Sequence, residues 1–441
     1  MGSTNHRARR WALAVVVAVV AAALAVPASA AATTLQTRIT KILSANGFAG
    51  SSTGVRVFDL STATALYGRH STTMLRPASN EKLVTSATAL ARWGASYRFK
   101  TELFTTGTVD AAGVYRGRLY LKGFGDPSFS THSYQSRVLH LSTSRLGRFV
   151  TALKNAGVKR VVGRVVGDDS YFDHARAVSS WKPDATDDCG PLSALSLDEG
   201  TRTDGRRAGN PPLMVAARLT ALLRKSGIRV SRTPTVGVTP TTAHLSYTER
   251  SAPLWRILAA MNKPSDNFFA EMLTKGLGAS FGGGGTTARG NKVEGKFLVS
   301  LGIGAKSFAL TDGSGLSYAD RLTPLDVTTL LQAMSKRTDW PRYWASLSVA
   351  GVDGTLAQRM RGTVAQKNLH GKTGTLNVAS NLSGYVKSAN GEWLAFSMLM
   401  NRANWIDVTA AHRAQDAIGV ALARSRPAGT IVWTPSPTPT P

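Results

Sequence analysis

The feature that most constrains this chain is an interruption. Apolar residues at helical spacing, Leu83, Val84, Ala87 and Leu90, follow Pro77, and comparable signals return only from 254 to 277. Between them lie short β-like runs, such as Leu119-Tyr120-Leu121 and 161–166, broken by Gly/Asp turns, with one helical stretch at 212–225. That texture predicts a block at 98–250 inserted into a discontinuous domain made of 31–97 and 251–424. The flanking segments must then meet in space although far apart in sequence.

The rest of the pattern fits an antiparallel sheet flanked by helices. Residues 33–45 read as a helix closed by Asn46-Gly47, and 54–60 alternates before turning into Ala65-Leu66-Tyr67, a hairpin signature. A second hairpin is expected around Asn390-Gly391, between 382–387 and 393–400. Ile406, Ala410, Ala414, Ala417, Ile418, Ala421 and Leu422 mark one face of a closing helix. The expected fold class is α/β in the α+β sense, with a β-rich inserted domain. Gly282 to Gly285 lacks the Gly-Lys-Ser/Thr of a phosphate loop and reads as a flexible connector.

Residues 1–30 read as a secretory signal peptide: His6, Arg7, Arg9 and Arg10, an apolar run from Trp11 to Val26, then Pro27 and Ala28-Ser29-Ala30. An uncleaved membrane anchor is the alternative. At the other end, 425–441 reads as a Pro/Thr-rich disordered tail. The net charge of +27 reads first as a solvated basic surface giving long-range attraction; an anionic partner, for an exported chain, would be wall polymers or membrane surface rather than nucleic acid. Lys and Arg are dispersed, without the aromatic–basic pattern of a nucleic-acid site. Cys189 is the single cysteine, so no intrachain disulfide forms; its acidic turn, Asp187-Asp188-Cys189, suits a structural thiol better than a thiolate.

Three short segments carry chemistry. In Ser79-Asn80-Glu81-Lys82 a helical spacing of three sets an amine beside a hydroxyl that needs a base to become nucleophilic. Lys82 would have to lose its proton through burial or a neighbouring cation. Ser265-Asp266-Asn267 sits in a turn entering a helix, where Ser265 can relay a proton and Asn267 can hold a carbonyl; a plain helix cap is the rival reading. Lys372-Thr373-Gly374-Thr375 suits a strand at a cleft edge, Gly374 admitting a substrate backbone and Lys372, Thr373 and Thr375 facing a carboxylate. Ser179-Ser-Trp-Lys182 repeats the first spacing, but Pro183 follows and no helical periodicity supports it, so it reads as a decoy.

In this order the three segments match the set found in penicillin-binding proteins and class A β-lactamases. With Gly123-Phe-Gly-Asp-Pro127, 167–172, 191–195, Asp312-Gly-Ser-Gly-Leu316 and 351–356, the sequence resembles the D-Ala-D-Ala carboxypeptidase/endopeptidase family of low-molecular-mass class C penicillin-binding proteins. The resemblance implies a penicillin-binding/β-lactamase-like transpeptidase domain acting on peptidoglycan peptides, with β-lactams as covalent inhibitors and no metal or cofactor. It implies Ser79 as nucleophile, Lys82 as base, Ser265 as proton relay, and Asn267, Lys372, Thr373, Gly374 and Thr375 as substrate-binding residues. The backbone N–H groups of Ser79 and Thr375 would hold the oxyanion. Ser79 and Ser265 are 186 positions apart, short for the family, so a nested third domain is expected to be reduced or absent. The alternatives are a β-lactamase and a non-catalytic penicillin-binding wall-associated protein. Against the first, neither Glu271 nor Glu294 presents the Glu-x-x-Leu-Asn pattern of class A enzymes. A secreted, extracytoplasmic, wall-associated location follows from the same reading.

Overall fold

The computed structural model describes residues 28–427. Most of the signal-peptide expectation, and the tail beyond residue 427, lie outside the described residues. Among the described residues no helix is long and apolar enough to cross a membrane.

A six-stranded, wholly antiparallel sheet organises the larger part of the molecule. Its order is Ser348–Val349, His370–Leu376, Ala379–Lys387, Trp393–Asn401, Thr53–Asp59, Thr64–Arg69. The register Thr53↔Met400 to Asp59↔Leu394 ties the first strand to the last. Trp393–Asn401 is buried along its whole length, so both faces of the sheet are covered.

Side chains alternate between those faces with the two-residue period of a strand. Leu394, Phe396, Met398 and Met400 pack with Leu35, Ile39, Ala411 and Ile418 from helices Ala28–Ala45 and Val408–Arg424. Trp393, Ala395 and Tyr385 join the opposite core, built on helices Lys82–Trp93, Leu254–Asn262, Asn267–Phe281 and Pro324–Ser335. Both expected hairpins are present. The closing helix differs in detail: Ala417 is exposed, and Ile406 is buried just ahead of the helix rather than within it.

Residues 98–250 hold a five-stranded and a four-stranded sheet. Several of their pairs are parallel, for example Leu119–Gly123 with Val165–Asp168. Helices Gly147–Asn155 and Pro211–Lys225 pack on these strands around Leu121, Phe149, Val165 and Leu219. The stretch is not a closed unit, because Phe172, Ala185, Cys189, Leu192 and Ala194 enter the helical core instead. The glycine run at 282–285 is a fixed turn rather than a flexible connector. Gly285 bridges Phe172, and a Cβ on it would fall 2.6 Å from that ring.

Candidate active site

Pro77 caps a short 3₁₀ turn, Ala78–Glu81, from which helix Lys82–Trp93 continues. The turn is clamped to the sheet: Asn381 donates to the Pro77 carbonyl at 2.7 Å, and Asn80 donates to the Lys372 carbonyl at 3.1 Å. Two glycines make this approach possible. A Cβ at Gly374 would lie 2.9 Å from the Ser79 nitrogen, and one at Gly315, whose φ is +81°, would lie 1.9 Å from the Ala78 carbonyl oxygen. Any side chain at either position would push the Ser79 turn off the strand.

Lys82 is fully buried, and its Nζ has three acceptors: Ser79 Oγ at 2.9 Å, Asn267 Oδ1 at 2.7 Å and the Ser314 carbonyl at 2.7 Å. Burial pushes its pKa down to about 8, against the pull of Asp312, Asp266 and Glu271. All three direct partners are neutral, so none holds the proton on the amine as a carboxylate would.

Asp266, not Ser265, caps helix Asn267–Phe281, accepting from the Phe269 N–H at 2.9 Å. The capping role and the functional role thus fall on different residues of one tripeptide. Ser265 takes a left-handed φ of +67°, uncommon for a residue with a Cβ and frequent at functional sites. Its Oγ accepts from Lys372 Nζ at 2.7 Å. Asn267 faces Lys82 with its oxygen and donates its amide to the Asp188 carbonyl at 3.0 Å.

Lys372 is fully buried on strand His370–Leu376, and it also donates to the Thr373 carbonyl at 3.0 Å. Burial, then the charge of Lys82, holds its pKa well below the ordinary lysine range. Its amine thus lies behind Ser265, which lines the cleft. Thr375 is exposed in the cleft, whereas Thr373 donates its hydroxyl to Thr355 Oγ1 at 2.7 Å.

These groups converge on a cleft of about 500 Å³ lined by Ser79, Ser265, Asn267, Thr373, Gly374 and Thr375. All eight sequence-predicted residues thus lie in one place, Lys82 and Lys372 buried just behind its wall. A larger groove of about 940 Å³ lies elsewhere, and none of the three motifs lines it. Among the described residues no group of three or more His, Cys, Asp or Glu side chains is arranged to hold a metal ion.

Sequence reasoning missed several participants. The Asp312–Leu316 loop supplies the Ser314 carbonyl, and Glu271 holds that loop by accepting from the Gly313 and Ser314 N–H groups at 3.1 and 3.0 Å. Lys182, read as half of a decoy, also lines the cleft, its Nζ 2.5 Å from Asp188 Oδ2. Its serine does not accompany it, since Ser179 lines the larger groove. Cys189 is buried, and desolvation raises its thiol well above the ordinary range, in keeping with a structural role.

The D-Ala-D-Ala carboxypeptidase 3 (S13) family matches residues 35–204 and 200–425. The chain belongs to this family. A D-alanyl-D-alanine carboxypeptidase of Actinomadura sp. (strain R39) is 32% identical over 483 residues, covering 91% of this chain and 86% of its own. Carboxypeptidase DacB of Mycolicibacterium smegmatis is 29% identical over 79% of this chain and 76% of its own. Penicillin binding protein 4 from Haemophilus influenzae shares the fold, with a TM-score of 0.73 at 20% identity over 88% of this chain and 99% of that one. This S13 protein is accordingly a D-Ala-D-Ala carboxypeptidase-type hydrolase with a penicillin-binding protein fold.

Proposed function

We propose that this S13 protein is an exported serine carboxypeptidase that cleaves the D-Ala-D-Ala ends of peptidoglycan peptides through an acyl-enzyme on Ser79. The observation that carries the reading is a desolvated Lys82 amine 2.9 Å from Ser79 Oγ. Once neutral, Lys82 donates its two protons to Asn267 and the Ser314 carbonyl and turns its lone pair to the Ser79 hydroxyl. Ser79 Oγ then attacks the penultimate D-Ala carbonyl while its proton passes to Lys82, and the Ser79 and Thr375 N–H groups stabilise the oxyanion. The C–N bond breaks, and the departing D-Ala amine takes a proton from Ser265, which Lys372 restores. Water adds to the ester while giving one proton back to Lys372 through Ser265, Lys82 returns its proton to Ser79 Oγ as the ester bond breaks, and the peptide leaves as an acid that ionises to the new carboxylate.

In this scheme the charge of Lys372, passed on by Ser265, and the Thr373 and Thr375 hydroxyls hold the terminal carboxylate. The β-lactam ring amide imitates the scissile bond, so β-lactams acylate Ser79; the Haemophilus influenzae protein has been solved complexed with a β-lactam. Residues 1–30 direct export, and the remaining chain, whose charge is +24 once the three arginines of that segment are taken from +27, is drawn to anionic wall polymers or membrane surface. A β-lactamase reading is disfavoured because Glu271 and Glu294 are buried and bonded to the Gly313–Ser314 backbone and to Thr274, away from the cleft.

The test pairs fluorescent penicillin with a D-Ala-D-Ala pentapeptide. Wild type takes one label per chain and releases free D-Ala, and Ser79→Ala does neither. Labelling that survives the substitution sinks the assignment, and fast turnover of nitrocefin without an accumulating adduct favours the β-lactamase.

A further inference from the structure

Among the described residues Trp405 is the most exposed of the large apolar side chains, with 69% of its surface open, and it lines the cleft. A single exposed hydrophobe needs no explanation by itself. This one is held in place. The Ile406 N–H donates to the Asn377 carbonyl at 3.0 Å, the Arg402 N–H donates to the Val378 carbonyl at 2.8 Å, and the Ile406 side chain is fully buried. The loop is thus pinned on both sides of Trp405 to the turn that follows strand His370–Leu376, and Leu376 and Val408 continue the apolar wall.

The position along that strand says which part of a substrate meets the ring. Lys372, Thr373 and their partners Ser265 and Thr355 occupy one end of the cleft, the end assigned above to the terminal carboxylate. Gly374 sits against Ser79, where the scissile carbonyl must lie. A bound peptide therefore runs on past Thr375 towards Leu376, Asn377 and the indole of Trp405. What lies there is the acyl portion upstream of the penultimate residue.

We propose that Trp405 is a specificity residue for this acyl portion. It stacks on the methylene arm of the third stem-peptide residue, selecting a long aliphatic side chain over a short one. In β-lactams the same surface takes the acylamino side chain. The inference rests on the Ser79 acylation reading, and a broad, rigid aromatic face is well suited to such a contact.

The test compares acylation by benzylpenicillin, which carries an arylacetamido group, with acylation by 6-aminopenicillanic acid, which has none. In Trp405→Ala the second-order rate should fall about tenfold for benzylpenicillin and stay unchanged for 6-aminopenicillanic acid. Trp405→Phe should recover most of the loss. With D-Ala-D-Ala peptides bearing lysine or alanine at the third position, Trp405→Ala should raise KM for the lysine peptide, leave kcat in place and erase the preference. Equal loss with both β-lactams, or no loss with either, overturns the proposal. If wild type is acylated by neither compound, it is the Ser79 reading that fails.

Discussion

Two stretches of this chain carry serine and lysine at the same spacing, Ser79 to Lys82 and Ser179 to Lys182, and they end in different states. Lys82 is fully buried and meets only neutral oxygens. Lys182 keeps 25% of its side chain exposed and answers a carboxylate, Asp188, at 2.5 Å. Ser79 stands on a 3₁₀ turn that leads into a helix, so the spacing becomes a shared face; Ser179 lies in a turn closed by the Trp181 N–H donating to the Val178 carbonyl at 3.1 Å, no helix follows before Lys182, and the two residues line different cavities. A base therefore requires desolvation and uncharged acceptors in addition to spacing.

The sharpest way to break this comparison is at the serines. Ser79→Ala should abolish covalent penicillin labelling, and Ser179→Ala should leave it at the wild-type level; label lost from the second variant alone would reverse the assignment. Next come the lysines. Lys82→Ala should slow acylation about 10³-fold, the scale of a lost general base, and Lys182→Ala less than about fivefold, since a partly exposed ion pair contributes little. Stopped-flow acylation rates distinguish the two.

The pH profile sharpens the contrast further. With Lys82 pushed down to about 8, its amine is free above that value, so the acylation rate should climb as pH rises and level off beyond about 8. Lys182→Ala should leave that inflection where it is. An inflection that moves with Lys182 would place the working base elsewhere.

The smallest effect concerns stability. Burial pushes both Glu271 and Glu294 up to about 8. An unfolded glutamate titrates near about 4.3, so between those values the folded chain holds protons that the unfolded chain has lost. Their contribution is fully present at low pH and declines as pH rises through that window. Glu294→Gln removes one such proton while keeping an acceptor for the Thr274 hydroxyl, which donates at 2.9 Å. The decline of Tm between pH 5 and 8 should become shallower; an unchanged slope would show that Glu294 does not titrate there.

The two hairpins and the three motifs were legible because each is encoded locally, by alternation, by turn residues or by helical spacing. The groups that complete the site are not encoded that way. The Ser314 and Asp188 carbonyls are backbone atoms with no residue signature, and their placement depends on Glu271, 43 positions from Ser314, and on Asn267, 79 from Asp188. The indirect position of Lys372, behind Ser265, was equally hidden, because nothing in a strand pattern reports the depth of an ammonium. The 98–250 boundaries were read from texture, which marks where strands begin and cannot show that Phe172 and Leu192 pack on a different core.

The antiparallel pairing of Thr53–Asp59 with Trp393–Asn401 sets an order of events during synthesis. The strands that lie beyond Trp393–Asn401 on the Lys372 side, Ser348–Val349, His370–Leu376 and Ala379–Lys387, are also made late, so the part of the sheet that clamps the Ser79 turn is missing until almost the whole polypeptide has left the ribosome. A nascent or prematurely terminated chain consequently carries its serine and lysine without a pocket around them. The hydrolase is silent until its final hundred residues arrive, and incomplete products have no means of attacking a cell's own wall.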